Sequence, residues 1–506
     1  MLLGIDSGQS ALKAVVFDHD GNEIGSSSTR GGSNSPAPRH VERDMRDLAA
    51  DCERTIRAAL AAAEVDGTCI DAVGIVGHGD GMYPVDAAGA PVRPAILAVD
   101  TRAAQVVEQW RSDGTLAQAA VSTGQEPFPA SFAPLVSWLQ NHEPDSLRRT
   151  KWMLTCKDWL NFTLTDEIAT DRSQANSSVG TIDGSDYSSG ALTAYGIEAV
   201  AGLLPRIMDA TDVVGCVSRG AAARTGLAAG TPVAVGSHDV LGAALGSGAT
   251  QPGQLSAVAG TWGVNQLITD TRHSDRQWQA RPWIDGRSWI LMAASPSSAS
   301  NLDWFIRTFM NEVHDPFSTI DAEVREVLDD PSTVLFLPYL YGSQFAGPTS
   351  GTFLGVHAWH RRAHLLRAVM EGVVLNHRTQ LSAFDGLTDT GEVLLSGGAA
   401  RSALWTQMFS DATSRRVRVA ELEEPGCLGA AIVAGVATGV YADLTDAERR
   451  CVRSARVHEP DPDRHEHWKT AVDLFGRALT TLPSLWAALD QSVSSPRPID
   501  AIGRSI

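Results

Sequence analysis

Paired cysteines are missing from this sequence. Its six (Cys52, Cys69, Cys156, Cys216, Cys427 and Cys451) lie far apart and include no Cys-x-x-Cys. That spacing excludes a zinc knuckle and a disulfide framework, and it points to a reducing cytoplasm. Positive charge is also short: 41 Lys and Arg against 59 Asp and Glu leave a formal charge of -18. A basic face for nucleic acid does not follow from that balance, whereas a nucleotide can still be held by backbone amides and Mg²⁺. Long apolar runs are absent too. Leu428 to Val440, the most membrane-like stretch, is made largely of Gly and Ala; it is too short for a bilayer and reads as a buried helix. The chain opens directly into Leu2-Leu3-Gly4-Ile5-Asp6, without the basic and apolar regions of a leader. These absences predict a cytoplasmic protein with neither nucleic acid nor membrane as partner.

What is present is the balance of a folded protein, with 43% apolar and 20% charged residues. A length of 506 residues predicts about two to four domains. Residues 2–6 and 12–17 are apolar runs joined by Ser7-Gly8-Gln9-Ser10, which reads as a hairpin. The unit recurs at mid-chain as Leu255 to Ala259, Gly260-Thr261-Trp262-Gly263, and Val264 to Ile268. Two such units predict a duplicated domain, with Gly246 to Gly253 as linker; two unrelated hairpins would look the same. The expected division is 1–248, 249–492 and a tail over 493–506. Val73 to Val76 and Val393 to Leu395 read as buried strands, Asp47 to Ala63 and Ala363 to Leu381 as amphipathic helices. Ser26 to Arg39, rich in Ser, Gly and Pro, reads as a surface loop.

Phosphoryl transfer needs cradled phosphates, a bridging metal and a group that orients the acceptor hydroxyl. Asp6, at a strand end before a Gly/Ser turn, could hold Mg²⁺ directly or through water. Gly8, Gln9 and Ser10 could offer amides to phosphates, with Lys13 as a nearby cation; an ordinary Asx turn explains the same residues. Gly260-Thr261 is the matching turn of the second half. Val233 to His238 runs an apolar strand into Asp239, which suits a general base or, equally, a helix N-cap.

Gly351-Thr352-Phe353-Leu354-Gly355-Val356, then seven residues, then His364 to Glu371, resembles the second signature of the FGGY carbohydrate kinases. Leu337-Pro338-Tyr339-Leu340, Gly397 to Trp405, the two turns and the strand ending in Asp239 fall in that family's order. The first signature is looser: Trp138-Leu139 is present, but Leu135 stands where a lysine is usual. The resemblance implies an α/β fold of two ribonuclease-H-like (actin-like ATPase) domains with a central cleft. It implies ATP and Mg²⁺ as cofactors, with Asp6 and Asp239 toward the metal. Gly397, Gly398 and Ala399 would pack against adenosine with Ser402 nearby, Thr261 would contact a phosphate, and Asp239 would take the hydroxyl proton. Gln9 departs from the Thr that is frequent there.

Polyhydroxylated ligands are read by carboxylates, amides and Arg in fixed directions. His78, Asp80, Asp100, Arg102, Asp239 and Trp262 stand where this family binds sugar, although His78 could be a packing residue and Asp100–Arg102 a local surface pair. Gly79-Asp80 replaces the Met-His usual in D-xylulose kinases, and Asp80 resembles the erythritol kinase branch. Gly260-Thr261-Trp262, Ala294 to Ser298, Asn301 to Phe305 and Leu340 to Ser343 resemble L-xylulose kinases. The expected substrate is a ketopentose such as L-xylulose, the alternatives being erythritol, a pentitol or D-xylulose. A sugar-sensing actin-like ATPase is the non-enzyme alternative, and a homodimer is allowed for.

Overall fold

The computed structural model describes residues 1–313, 316–331, 334–343 and 349–493; the expected tail beyond Val493 lies outside them. Two compact units emerge. One comprises Met1–Ser256, Gln266–Met292 and Val419–Arg456, and the other the segments Ala257–Asn265, Ala293–Arg418 and the chain from Val457 onward. No described helix is long and apolar enough to cross a membrane.

The first sheet uses seven strands: β1 Leu2–Ser7, β2 Ala11–Phe17, β3 Glu23–Arg30, β4 Ala72–Gly77, β5 Val213–Cys216, β6 Pro232–Ala234 and β7 Ser237–His238. Their order is β5-β6-β4-β1-β2-β3, with β7 also pairing β4. β1 and β2 form the expected hairpin, with Asp6 opposite Lys13. β1 and β7 both run parallel to β4, so these three strands end at one edge, where α/β sheets place ligands. β4 reads as a continuous apolar run because all six of its residues are buried.

One expectation fails here. Ser26 to Arg30 is not loop but the second part of β3, paired with β2 from Ala11↔Arg30 to Val15↔Ser26. β3 ends the sheet's strand order and alternates exposed with less exposed residues. A half-solvated edge strand carries serines without loss, and composition alone misreads it.

A second sheet follows the order β10-β11-β9-β8-β12-β13-β14, formed by β8 Leu255–Ala259, β9 Gly263–Thr269, β10 Gln279–Pro282, β11 Trp289–Ser295, β12 Glu392–Ser396, β13 Arg416–Ala420 and β14 Ser454–His458.

In the first unit, the Gly/Ala-rich run forms the helix Pro425–Ala437, buried from Gly426 to Gly435. A Cβ on Gly4 would stand 1.9 Å from the Cys427 carbonyl oxygen, and one on Gly74 would stand 1.9 Å from that of Ala430. The helix therefore lies directly on the backbone of β1 and β4. Gly74→Ala should destabilise the protein by about 1–3 kcal/mol or more, the usual cost of overpacking. A fallen melting midpoint checks it, against Gly32→Ala as control, because a Cβ at Gly32 meets nothing within 4 Å.

Candidate active site

The shared strand edge collects Asp6 from β1, His78 and Asp80 just beyond β4, and Asp239 just beyond β7. Asp239 opens the helix Asp239–Gly246. Its Oδ1 accepts from the Val240 amide at 2.7 Å and lies 2.7 Å from His238 Nδ1. Burial would raise its pKa, but these bonds and the charges of His238 and His78 hold it below the usual carboxylate range. Asp239 is thus a fixed, ionised acceptor whose side chain keeps 23% of its surface open.

Asp6 goes the other way. Burial first, then the Asp239 charge, push it up to about 8 despite Lys13. Lys13 itself is paired with Glu424, just ahead of the Pro425 helix. The turn between β1 and β2 is held from behind: Arg43 donates to the carbonyls of Gly8 and Gln9, and Gly31 N donates to that of Ser10 at 2.9 Å. Arg43 and Glu424 escaped the sequence reading.

Among the described residues no three or more His, Cys, Asp and Glu side chains are grouped to hold a metal alone. The repulsion between Asp6 and Asp239 is nevertheless what a nearby dication relieves. That fits Mg²⁺, which is held by one or two carboxylates with phosphates and waters completing its shell.

The expected sugar residues have protein partners. His78 is buried with Nε2 2.8 Å from the Tyr83 hydroxyl. Asp80 sits in the left-handed region at φ 59° and accepts from Ser177 Oγ and, at 2.8 Å, from Arg281 Nη2. Arg281 is fully buried and also donates to the Ser173 carbonyl at 2.9 Å. Asp100 spends its carboxylate on the Val41 amide and on Arg102. Arg102 also reaches Glu42 at 2.8 Å and lies over Trp138, while its buried Nη1 has no described partner.

In the other unit, Gly397 follows β12 with φ 90°, and a Cβ there would stand 2.8 Å from Gly260 N. The two nucleotide segments of the sequence reading therefore abut. The carbonyls of Gly260 and Thr261 accept from the amides of Ala299 (2.8 Å) and Ser298 (3.3 Å), a second turn held from behind, with Thr261 exposed and Trp262 half-buried. Gly398 and Ala399 open a short 3₁₀ turn. Ser402 Oγ caps the next helix and donates to Asp321 at 2.8 Å, so that hydroxyl is already engaged.

Two family models match the chain: the N-terminal domain of the FGGY family of carbohydrate kinases over residues 1–246 and its C-terminal domain over 255–438. The chain is 33% identical to an Escherichia coli L-xylulose/3-keto-L-gulonate kinase, covering 97% of this chain and 98% of the relative. It is 28% identical to an erythritol kinase of Brucella abortus, over 97% and 98%. A ligand-bound xylulose kinase structure from Lactobacillus acidophilus superposes with a TM-score of 0.88 at 20% identity, covering 96% and 99%. The fold is thus the two-domain α/β fold of the actin-like ATPases.

The raised Asp6 pKa has a testable sign. The stability Asp6 contributes is full below the pKa of an unfolded carboxylate and is lost as pH rises toward 8. In metal-free buffer, Asp6→Asn should melt above wild type at pH 8, an advantage that shrinks to nothing toward pH 4. A gap independent of pH would refute the charge clash.

Proposed function

The chain belongs to the FGGY family of carbohydrate kinases, and we propose that it transfers the γ-phosphoryl group of ATP to a ketopentose such as L-xylulose. The observation that carries this reading is the ionised Asp239 at the same sheet edge as Asp6 and the amide turn Gly8-Gln9-Ser10. Asp239 orients the acceptor hydroxyl and takes its proton. With a loose phosphoryl transition state the hydroxyl loses its proton late, so a base of low pKa suffices and position matters more than basicity. Asp6 and Asp239 would hold Mg²⁺, which neutralises phosphate charge when bound. Gly8, Gln9, Ser10 and Lys13, with Gly260 and Thr261, attend the phosphates. Gly397, Gly398 and Ala399 approach the adenosine with Ser402 nearby, its amide donating to the Ala399 carbonyl at 3.2 Å. Arg102, His78, Asp80 and Trp262 read the sugar, with Asp100 orienting Arg102.

The ketopentose rests on the full-length likeness to the Escherichia coli kinase. A tetritol is the second reading, favoured by Asp80 and the Brucella relative. An ADP-release screen over ketopentoses, pentitols and tetritols decides between them: the reading requires the highest kcat/KM on a ketopentose.

Asp239→Asn should lower kcat by about 10² to 10⁴, the usual loss on removing a base, with sugar and ATP still bound by calorimetry. Near wild-type turnover would remove Asp239 from the role. Because a Cβ at Gly398 meets nothing within 4 Å, Gly398→Val should fold normally and raise the ATP KM while leaving the sugar KM in place. Movement of the sugar constant alone would place the nucleotide elsewhere.

A further inference from the structure

Beside Asp80, the first unit holds a small open recess of ≈ 30 Å³. Its polar wall includes Asp80, Ser177, Thr170 and Gln174, and its apolar wall includes Phe132 and Val179. Gln174 is 4% exposed and Thr170 is 2% exposed. Among the described residues, neither amide atom of Gln174 nor the Thr170 hydroxyl has a hydrogen-bond partner. Buried polar groups are nearly always satisfied, and an amide with both ends unpaired costs most in a rigid place. This place is rigid. Gln174 lies on the short helix Arg172–Ala175, and its neighbour Ser173 takes the His238 amide on Oγ at 3.3 Å and Arg281 Nη1 on its carbonyl at 2.9 Å. The segment is tied on one side to the residue before Asp239 and on the other to the partner of Asp80.

We propose that this recess is a hydroxyl-binding subsite for a small uncharged polyhydroxylated ligand, namely the part of the acceptor chain that extends past Asp80. The proposal rests on the kinase reading above. An amide that both donates and accepts, beside a hydroxyl that does the same, suits successive carbinol groups. The apolar wall suits the C–H face of the chain, and neither group favours a charged one. Gln174 and Thr170 then set how much a longer acceptor gains over a shorter one, since a site built on hydrogen bonds rejects ligands that leave them unpaired.

The test compares wild type, Gln174→Leu and Thr170→Val on straight-chain polyols and ketoses of three to six carbons, with kcat/KM for each and the melting shift that each acceptor gives without ATP. The gain in kcat/KM from three- and four-carbon to five-carbon acceptors should shrink at least tenfold in Gln174→Leu and to a lesser degree in Thr170→Val. The melting shift with five-carbon acceptors should shrink in parallel, and the ATP KM should move less than twofold. A gain unchanged in both variants, even with a lowered melting midpoint, means that ordered water fills the recess, and it overturns the subsite. A uniform loss over all chain lengths overturns it as well. Absence of acceptor-dependent ADP release in wild type overturns the kinase reading itself, and the subsite with it.

Discussion

Backbone laid on backbone is the constraint that orders the first unit. No side chain separates the helix Pro425–Ala437 from β1 or β4, because Gly4 and Gly74 leave no room for one. The same holds at the helix Asp239–Gly246, where a Cβ on Gly246 would stand 1.9 Å from the Pro425 carbonyl oxygen and one on Gly429 would stand 2.0 Å from that of Gly242. Side-chain packing tolerates small slips through rotamers; carbonyl-to-glycine contact does not. The helix therefore delivers its first turn to a fixed place. Glu424 meets Lys13 there, and a Cβ on Gly426 would stand 2.2 Å from Asp6 Oδ2. The positive end of the helix lies against a carboxylate, but it does not cancel burial and the Asp239 charge, as the raised Asp6 pKa shows.

Much of this was legible from local sequence. The β1–β2 hairpin follows from short-range periodicity and glycine, so a window of ten residues carries it; the strand expected from Val233 to His238 is instead broken between Ala234 and Ser237, where Gly236 takes φ 76°. What escaped is whatever depends on distant partners. Arg43 meets the Gln9 carbonyl across 34 residues, Arg281 meets Asp80 across 201, and Glu424 meets Lys13 across 411. No composition or spacing rule links such pairs. Asp100 and Arg102, two residues apart, were legible as a pair, but that the pair is buried and anchored on Glu42 and Trp138 was not.

Asp239, the proposed base, shows what distant residues add. Behind Asp239, Lys157 is buried with no exposed side-chain surface and pairs with Asp158 at 2.6 Å and Asp171 at 3.0 Å. Asp171 holds Ser173 through its amide and hydroxyl, and Ser173 holds the His238 amide. Desolvating a lysine and two carboxylates is expensive unless each is paired and bonded. Here the expense fixes a position, and the proposed base, if it acts through orientation, needs position above all.

Asp80 and Arg281 extend that logic to specificity. An aspartate at φ 59° is uncommon backbone, and burying its carboxylate beside a guanidinium adds a desolvation penalty. Ser177, Gln279 and the Ser173 carbonyl supply most of the pair's bonding, leaving Arg281 Nε without a partner among the described residues, and this pins the carboxylate's direction. The pair is neutral as a whole, so it exerts little long-range pull on a charged ligand while presenting strong, fixed local dipoles. An uncharged polyol meets such a wall on geometry alone, hydroxyl by hydroxyl. A net charge of -18 is therefore no obstacle to an acceptor without charge, and on the proposed reading discrimination among epimers is left to the angles at which Asp80, Arg102 and their neighbours are held.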